Sequence, residues 1–403
     1  MKKKILFVDD EANVLDGLRR ILRDMRREWE MEFASSGEQA IEILGSIAID
    51  VVVTDMRMPG MDGRRLLEKV KQSYPQIVRI ILSGYSEKDL ILSSVGLAHQ
   101  FLSKPCDIET LRATVARACA MRELLEDQYL IELVSSIDAL PSLPSVYKEI
   151  IEEVNSENGS LEKIGEIISR DAGMSAKLLQ LVSSAFFGLP EGSKSIARAV
   201  NMLGIETIKT LVLSVNIFSQ YERPGLALIS KLWDHSLGTG MIAKSIARSQ
   251  KLDQDEPFLA GLLHDVGKLI LLDKLPQKYE EALNLSEASG CPLWEAEQTV
   301  LGTTHAQIGA YLMGIWGLSG TLVEAIAFHH CPGKSSNSAF TTLTAVHLAD
   351  WAQHSGRAKG RKYGLDMEYL KKLGVSEKLY EHFITEPDAT EEGQPHGCKS
   401  FIC

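Results

Sequence analysis

The chain lacks any pair of cysteines at motif spacing. Its six cysteines, at positions 106, 119, 291, 331, 398 and 403, are scattered without a CxxC, which points to reduced thiols and a cytoplasmic setting. Cys403 is misplaced for a CaaX lipid signal. No apolar run is long enough to span a membrane, and the opening MKKKILFVDD has no apolar h-region of a signal peptide. Excess basic charge is missing too: the formal net charge is −11, which argues against a general nucleic-acid-binding surface. Internal repeats, low-complexity tracts, helix-turn-helix patterns and zinc-finger patterns are absent, so direct transcriptional output is not expected.

What is present is ordinary globular material. Apolar residues make up 45% and charged residues 24%, enough to pack cores. At 403 residues the chain is too long for one ordinary domain, and two or three are expected.

Residues 1 to about 120 alternate strand and helix. Strands are expected at 5–8, 31–33, 51–54, 78–82 and 100–102. Helical patterns lie between them, one with Val14, Leu18, Ile21, Leu22 and Met25 on an apolar face. Ser36 followed by Gln39 reads as a capping-box start. Five βα units of this length predict a doubly wound parallel sheet, an α/β fold. From Ile108 to about Val134 the pattern stays helical. It fits either a last sheet-packing helix running into a linker or a short coiled coil that dimerises the protein.

DALPSLPSVY at 138–147 breaks that helix and marks a domain boundary. Beyond it helix-period runs follow one another, among them 205–218, 258–272 and 341–354, so an all-α domain is expected. The sequence divides into an α/β domain at 1–120, a helical linker at 121–137, an all-α domain at 138–335, its helical extension at 336–390 and a mobile tail at 391–403.

Chemistry-bearing residues sit just past the apolar runs: Asp9 and Asp10 in ILFVDDE, Asp55 in VVVTDMRMPG, Ser83 in IILSGYS, and Lys104 in FLSKP. In a parallel sheet these strand ends lie at one edge, where ligands of open α/β sheets bind. Any one of the acids alone reads as a cap or a turn residue. Together they describe a Mg²⁺ site, with Asp10 and Asp55 as direct ligands and Asp9 acting directly or through water. Asp55 then serves as the phosphoryl-accepting nucleophile, with Lys104 and Ser83 holding phosphoryl oxygens.

These motifs resemble the receiver domain of two-component response regulators over about residues 1–120. The resemblance implies Mg²⁺ binding by the acid pair, phosphorylation of Asp55 by a sensor histidine kinase, and phosphoryl contacts from Ser83 and Lys104. Phe101 matches the family's aromatic switch position but has no hydroxyl to hydrogen-bond. Phosphorylation would draw Ser83 toward the new charge and bias a two-state surface.

In the helical half, His264-Asp265 interrupts FLAGLLHDVGKLILL, and His329-His330 ends LVEAIAFHH. A charged Asp within an apolar helix is costly unless it is paired or metal-bound. Lys268, three and four residues on, would share a helix face with Asp265 and His264. His235, His305 and Asp350 lie on other expected helices. Imidazoles with carboxylates suit Fe, Mn or Zn, and a bridging Asp suits two ions. The bland alternative pairs Asp265 with Lys268 and leaves the histidines as core or surface residues.

The order H…HD…H…HH…D resembles the metal-dependent HD phosphohydrolase superfamily. That resemblance implies a dinuclear site of His235, His264, Asp265, His305, His329, His330 and Asp350, with Lys268 facing phosphate. The stretches LPSLPSVYKEII, RDAGMSAKLLQLVSSAFFG and IARAVNMLGIETIK resemble the HDOD branch, over about 138–335. Most HDOD modules have lost the HD dyad and act as signalling or scaffold domains, whereas this chain keeps it. His330 runs into CPGKSSNS rather than a GYP segment, and Lys231 stands where some relatives carry a third-metal acid. Cyclic-di-GMP as substrate is therefore in doubt. The expectation is a response regulator whose HDOD output relays signals to a protein partner; the alternative is a phosphohydrolase acting on a nucleotide or cyclic dinucleotide.

Overall fold

The computed structural model describes residues 2–84, 94, 96–142, 144–156, 159–182, 195–205, 207–208, 219–220, 226–355 and 364–375. Most of the helical run expected at 205–218, the segment following β4, and the tail expected at 391–403 lie outside the described residues. Among these residues the chain packs as two compact units. One holds residues up to Tyr221 together with Tyr311–Ser319; the other holds Glu222–Ala310 and the residues from Gly320 onward.

The first unit contains a five-stranded sheet of β1 (Lys3–Val8), β2 (Trp29–Ala34), β3 (Val51–Asp55), β4 (Val78–Gly84) and β5 (Gln100–Lys104). All neighbouring strands are parallel, in the order β2-β1-β3-β4-β5. The central strands are apolar on both faces because helices cover both: every residue of β3 is buried, as are Ile5 to Val8 of β1. Register then fixes the chemistry. Val8 pairs with Thr54, Asp55 with Leu82, Ser83 with Ser103, and Gly84 with Lys104. Asp9, Asp55, Ser83 and Lys104 thus leave four neighbouring strands at one carboxyl-terminal edge, at the point where strand order reverses between β1 and β3.

Local signals place the helices. Ser36 Oγ accepts from Gln39 N–H, while the Gln39 side chain accepts from Ser35 N–H rather than from Ser36, one residue short of a full capping box. Gly63 opens the helix Gly63–Ser73 against the sheet; a Cβ there would lie 2.0 Å from the Asp55 carbonyl oxygen. No side chain fits so close to the strand that carries Asp55, which accounts for the glycine in GMDG.

The expected continuous helix over 108–134 is two helices, Ile108–Met121 and Gln128–Ser135. Asp127 terminates the interval by accepting from the N–H groups of Tyr129 and Leu130. Of the apolar residues at 3-4 spacing in this run, Leu111, Val115, Ala118 and Leu125 are buried within the chain, while Ile108 is exposed. Tyr129, at the same spacing, is 56% exposed.

At the opposite edge of the sheet, the amino-terminal ends of β4 and β5 carry a buried polar cluster. Arg79 is 1% exposed. Its guanidinium donates to the carbonyls of Leu97, Pro75, Ile77 and Ser135. His99 accepts the Arg79 N–H at Nδ1, so its Nε2–H donates to Ser135 O at 2.9 Å. Ser135 Oγ bonds the Tyr311 hydroxyl, Gln100 donates to Ile315 O, and Gln180 donates to His99 O. Lys177 donates to the Asp138 carbonyl and lies 5.1 Å from the Trp316 ring centroid. The sheet and the helices that follow it therefore form one packed unit.

The second unit is helical among its described residues, including Leu226–Ser249, Asp255–Leu263, Val266–Lys274, Leu293–Leu301, Gly320–Phe328 and Thr342–Ser355. The helix His305–Ile315 begins in this unit. The run expected as one helix over 258–272 breaks at His264-Asp265, where Asp265 takes φ −99° and ψ 10° and precedes Val266 as N-cap. A charge at a helix N-terminus lies near the positive end of the helix dipole, which lowers the cost of burying it, although the Asp265 carboxylate makes no capping hydrogen bond itself.

Candidate functional sites

At the sheet edge, Asp9 is 2% exposed and Asp55 7%, while Asp10 is exposed. Lys104 Nζ donates to Asp9 Oδ2 at 2.7 Å and forms an ion pair with Asp55. Asp9 Oδ1 accepts from Glu11 N–H, and Asp55 Oδ2 from Arg57 N–H at 2.7 Å. Burial pushes the Asp55 carboxyl above its ordinary range, although the Lys104 ammonium pulls the other way. The Lys104 ammonium is itself held up by the two carboxylates, against the downward pull of burial. Ser83 and Phe101 are fully buried. The geometry brings Asp9, Asp55 and Lys104 into direct contact and sets Asp10 on the solvent side of Asp9.

In the second unit, seven residues from separate elements meet. His235 comes from the middle of Leu226–Ser249 and His264-Asp265 from the break between two helices. His305 opens His305–Ile315, His329-His330 follow Gly320–Phe328, and Asp350 projects from Thr342–Ser355. Two donor sets have ligand atoms within 4.8 Å of one another: Asp265, His305, His329 and His330 form one, and His235, His264 and Asp350 the other. Asp265 links them. Its Oδ1 lies 3.2 Å from His305 Nε2 and its Oδ2 3.3 Å from His264 Nε2 and 3.6 Å from His235 Nε2. Asp350 Oδ1 lies 3.1 Å from His235 Nε2. Lys268 Nζ donates to Asp265 Oδ2 at 2.7 Å.

The rings are oriented from behind. His264 Nδ1–H donates to Gly261 O at 2.6 Å and His329 Nδ1–H to Ile326 O at 2.8 Å, which leaves both Nε2 lone pairs facing the centre. His347 in turn donates from Nδ1 to His329 O. Burial holds the His329 and His330 imidazoles well below their usual range, so both are neutral. Burial also opposes the charged form of Asp265, but the Lys268 ammonium beside it works against burial, and its carboxyl is held well below the ordinary range.

Whether these residues fit metal ions is tested by the atoms at the centre. His264 Nε2, Asp265 Oδ1 and His329 Nε2 are buried without a hydrogen-bond partner. Buried polar atoms in that condition are costly unless a cation takes their lone pairs. His305 Nε2 and His330 Nε2 stand 3.0 Å apart, a separation suited to neighbours in one coordination shell. The donor set fits two divalent ions bridged by Asp265.

Three residues around this centre escaped the sequence reading. Glu297 is fully buried and accepts at Oε2 from both His305 N–H and Nδ1–H. Its signal was present, because it occupies the apolar face of its helix between Leu293 and Leu301. Trp294, one turn earlier, stacks on His330 with ring centroids 6.2 Å apart. His354 lies 3.1 Å from Asp350 Oδ1; four residues beyond a ligand on the same helix, it was readable by spacing.

A model of the response regulator receiver domain matches residues 5–116, and one of the HDOD domain matches residues 140–332. Sporulation initiation phosphotransferase F of Bacillus subtilis is 37% identical over 120 residues, 29% of this chain and 94% of that protein. The chain belongs to the response regulators. Its receiver domain is followed by an HDOD domain. An uncharacterized protein of Treponema pallidum is 28% identical to this response regulator over 312 residues, 72% of this chain. The chain spans only 59% of that relative's length and 48% of the hydrogenase transcriptional regulatory protein HoxA of Cupriavidus necator. Among solved structures, the MmoQ response regulator of Methylococcus capsulatus is 20% identical, with 62% of this chain and 99% of that one covered and a TM-score of 0.47. No helix among the described residues is long and apolar enough to cross a membrane.

Proposed function

We propose that this response regulator accepts a phosphoryl group on Asp55 from a sensor histidine kinase, and that phosphorylation controls an HDOD output domain that retains a two-ion metal centre. For the receiver, the supporting observation is the contact of Lys104 with both Asp9 and Asp55. Asp9, Asp10 and Asp55 would hold Mg²⁺, which neutralises charge on the incoming phosphoryl group. Lys104 is poised to pass from the carboxylates to a phosphoryl oxygen, and Ser83 to offer its hydroxyl to another. Phe101 responds by packing alone, having no hydroxyl.

For the output domain, the observation that carries the reading is the convergence of seven ligands on orphaned buried donor atoms. His235, His264, Asp265 and Asp350 would hold one ion, and Asp265, His305, His329 and His330 the other. When bound, a pair of divalent ions supplies Lewis acidity to a phosphoryl group and lowers the pKa of water. Lys268, tethered by Asp265, would orient a phosphate oxygen. This supports hydrolysis of a phosphate ester in a nucleotide or cyclic dinucleotide. The second reading, an output domain that relays by binding a partner protein, rests on the HDOD match itself.

The two readings part on purified full-length protein. About two equivalents of Fe, Mn or Zn, lost in the His264→Ala, Asp265→Ala double variant together with hydrolysis of a nucleotide panel, supports the metal-centre reading. Metal-free protein with unchanged stability in that variant supports the binding module. For the receiver, a small phosphodonor with Mg²⁺ should give acid- and base-labile label on the wild type. Equal labelling of Asp55→Asn refutes the phosphoacceptor assignment.

A further inference from the structure

The helix Leu293–Leu301 contributes no ligand to either donor set, yet it touches two of them. Glu297 reaches His305 and Trp294, three residues earlier on the same face, stacks against His330. We propose that Glu297 is a positioning residue that fixes the tautomer and aim of the His305 ligand and makes the ion on the His305 side dependent on a buried carboxylate. This rests on the reading of the cluster as a metal centre.

The argument begins with cost. Glu297 is 0% exposed, and a carboxylate taken fully out of water is expensive without strong partners. Its Oε2 takes both available donors of a single residue, the His305 N–H at 2.8 Å and the ring Nδ1–H at 2.6 Å. Backbone and imidazole of His305 are thereby clamped to one atom. On its other side the ring faces a second carboxylate, with Nε2 3.2 Å from Asp265 Oδ1. Two acids thus compete for one imidazole proton. The shorter contact, to Glu297, places the proton on Nδ1 and the lone pair on Nε2, toward Asp265 and His330. Without Glu297 the opposite tautomer would turn an N–H toward Asp265 and could not ligate.

The pattern also separates the two halves of the centre. His264 and His329 donate from Nδ1 to neutral backbone carbonyls, whereas His305 donates to an anion. A carboxylate behind an imidazole raises its basicity as a ligand, and loss of such a partner typically weakens metal binding by about 10–100-fold. Glu297 should therefore govern one ion and leave the ion of His235, His264 and Asp350 nearly untouched.

The test titrates full-length Glu297→Gln and wild type with Mn²⁺ by calorimetry under excess Mg²⁺, which occupies the receiver site, and follows unfolding of the EDTA-treated proteins. The expected result is one equivalent of near wild-type affinity, a second weakened by about 10–100-fold, and an unchanged metal-free melting temperature. Two equivalents at wild-type affinity overturn the proposal. So does equal weakening of both with a lowered metal-free melting temperature, which would make Glu297 a packing residue. If Glu297→Gln does not fold, Glu297→Asp keeps the charge and draws it back by one methylene. Selective weakening of the second equivalent is then expected, and unchanged binding overturns the proposal. A wild type that takes up no Mn²⁺ sinks the metal-centre reading and this inference together. A two-ion wild type with an indifferent Glu297→Gln sinks this inference alone.

Discussion

Gly267→Ala separates folding from ligand geometry in the output domain. An ideal Cβ at Gly267 would lie 1.9 Å from the carbonyl oxygen of His305 and 2.7 Å from its carbonyl carbon, and ordinary contact begins near 3.4 Å. Both atoms are backbone, so no side chain can swing aside, and the start of the helix carrying His305 has to retreat by about 1.5 Å. Two energetic effects of the methyl group oppose each other. Gly267 is the second residue of its helix, so alanine recovers little of the roughly 1 kcal/mol it gains over glycine in a helix interior, and overpacking costs roughly 1–3 kcal/mol. The net destabilisation is then about 1–3 kcal/mol, a drop of several degrees in melting temperature. Metal geometry is far less forgiving, since ligand distances tolerate only about 0.2 Å. Gly267→Ala should therefore lose the ion on the His305 side, with affinity down by about 100-fold or more, while the metal-free protein still folds and melts several degrees below wild type. Gly320→Ala serves as control, because nothing lies within 4 Å of a Cβ there. Metal content after gel filtration, with circular-dichroism melting in EDTA, reads both arms. A Gly267→Ala protein that keeps both ions at wild-type affinity refutes the reasoning.

Two further predictions concern the first unit. Arg79→Met strips donors from the carbonyls of Leu97, Pro75 and Ile77, whereas Ser135 O keeps His99; at about 1 kcal/mol or more per orphaned carbonyl, roughly 3 kcal/mol is lost. The urea midpoint should fall by about 1–2 M with Asp55 labelling retained, and an unchanged midpoint contradicts the estimate. Burial pulls Lys177 down to about 7, against the help of Asp138 and with Lys71 adding to the fall. The unfolded chain then binds the extra proton between about pH 7 and the ordinary lysine value of 10.5, so the Lys177 contribution to stability rises with pH through that window and is least favourable below it. The urea midpoint of wild type minus that of Lys177→Met should climb from pH 6 to pH 10, and a flat difference refutes the burial argument.

The sheet was readable because strands buried on both faces leave continuous apolar runs, and the residue that ends each run is the one set at the ligand edge. Asp9, Asp55, Ser83 and Lys104 needed only register to bring them together. The seven residues that converge in the output domain stood out by their order, but the bounds of their helices did not. Periodicity runs straight through His264-Asp265, because an N-cap acid differs from a mid-helix acid in backbone angles rather than in residue type. The interval at 122–127 was hidden for the same reason: Asp127 stops and restarts a helix without a glycine or proline. Glu297 went unseen although it shares a helix face with Leu293 and Leu301, because a lone acid on that face does not name its partner. Arg79 is the one charged residue in VRIIL, and charge alone suggests a solvent-facing position; only the carbonyls of Ser135 and Leu97 around it show that it is interior.

The cluster at the rear of the sheet bears on how receivers can be exchanged between proteins of this kind. Arg79, His99 and Gln100 belong to the receiver by sequence, but their bonding needs are met by Ser135, Ile315 and Gln180. A chimera spliced at about residue 120, where the receiver ends by sequence, would hand a foreign receiver a socket shaped for these three residues. A graft that carries the helices through Val182 and the Tyr311–Ser319 segment along with the sheet transplants plug and socket as one part.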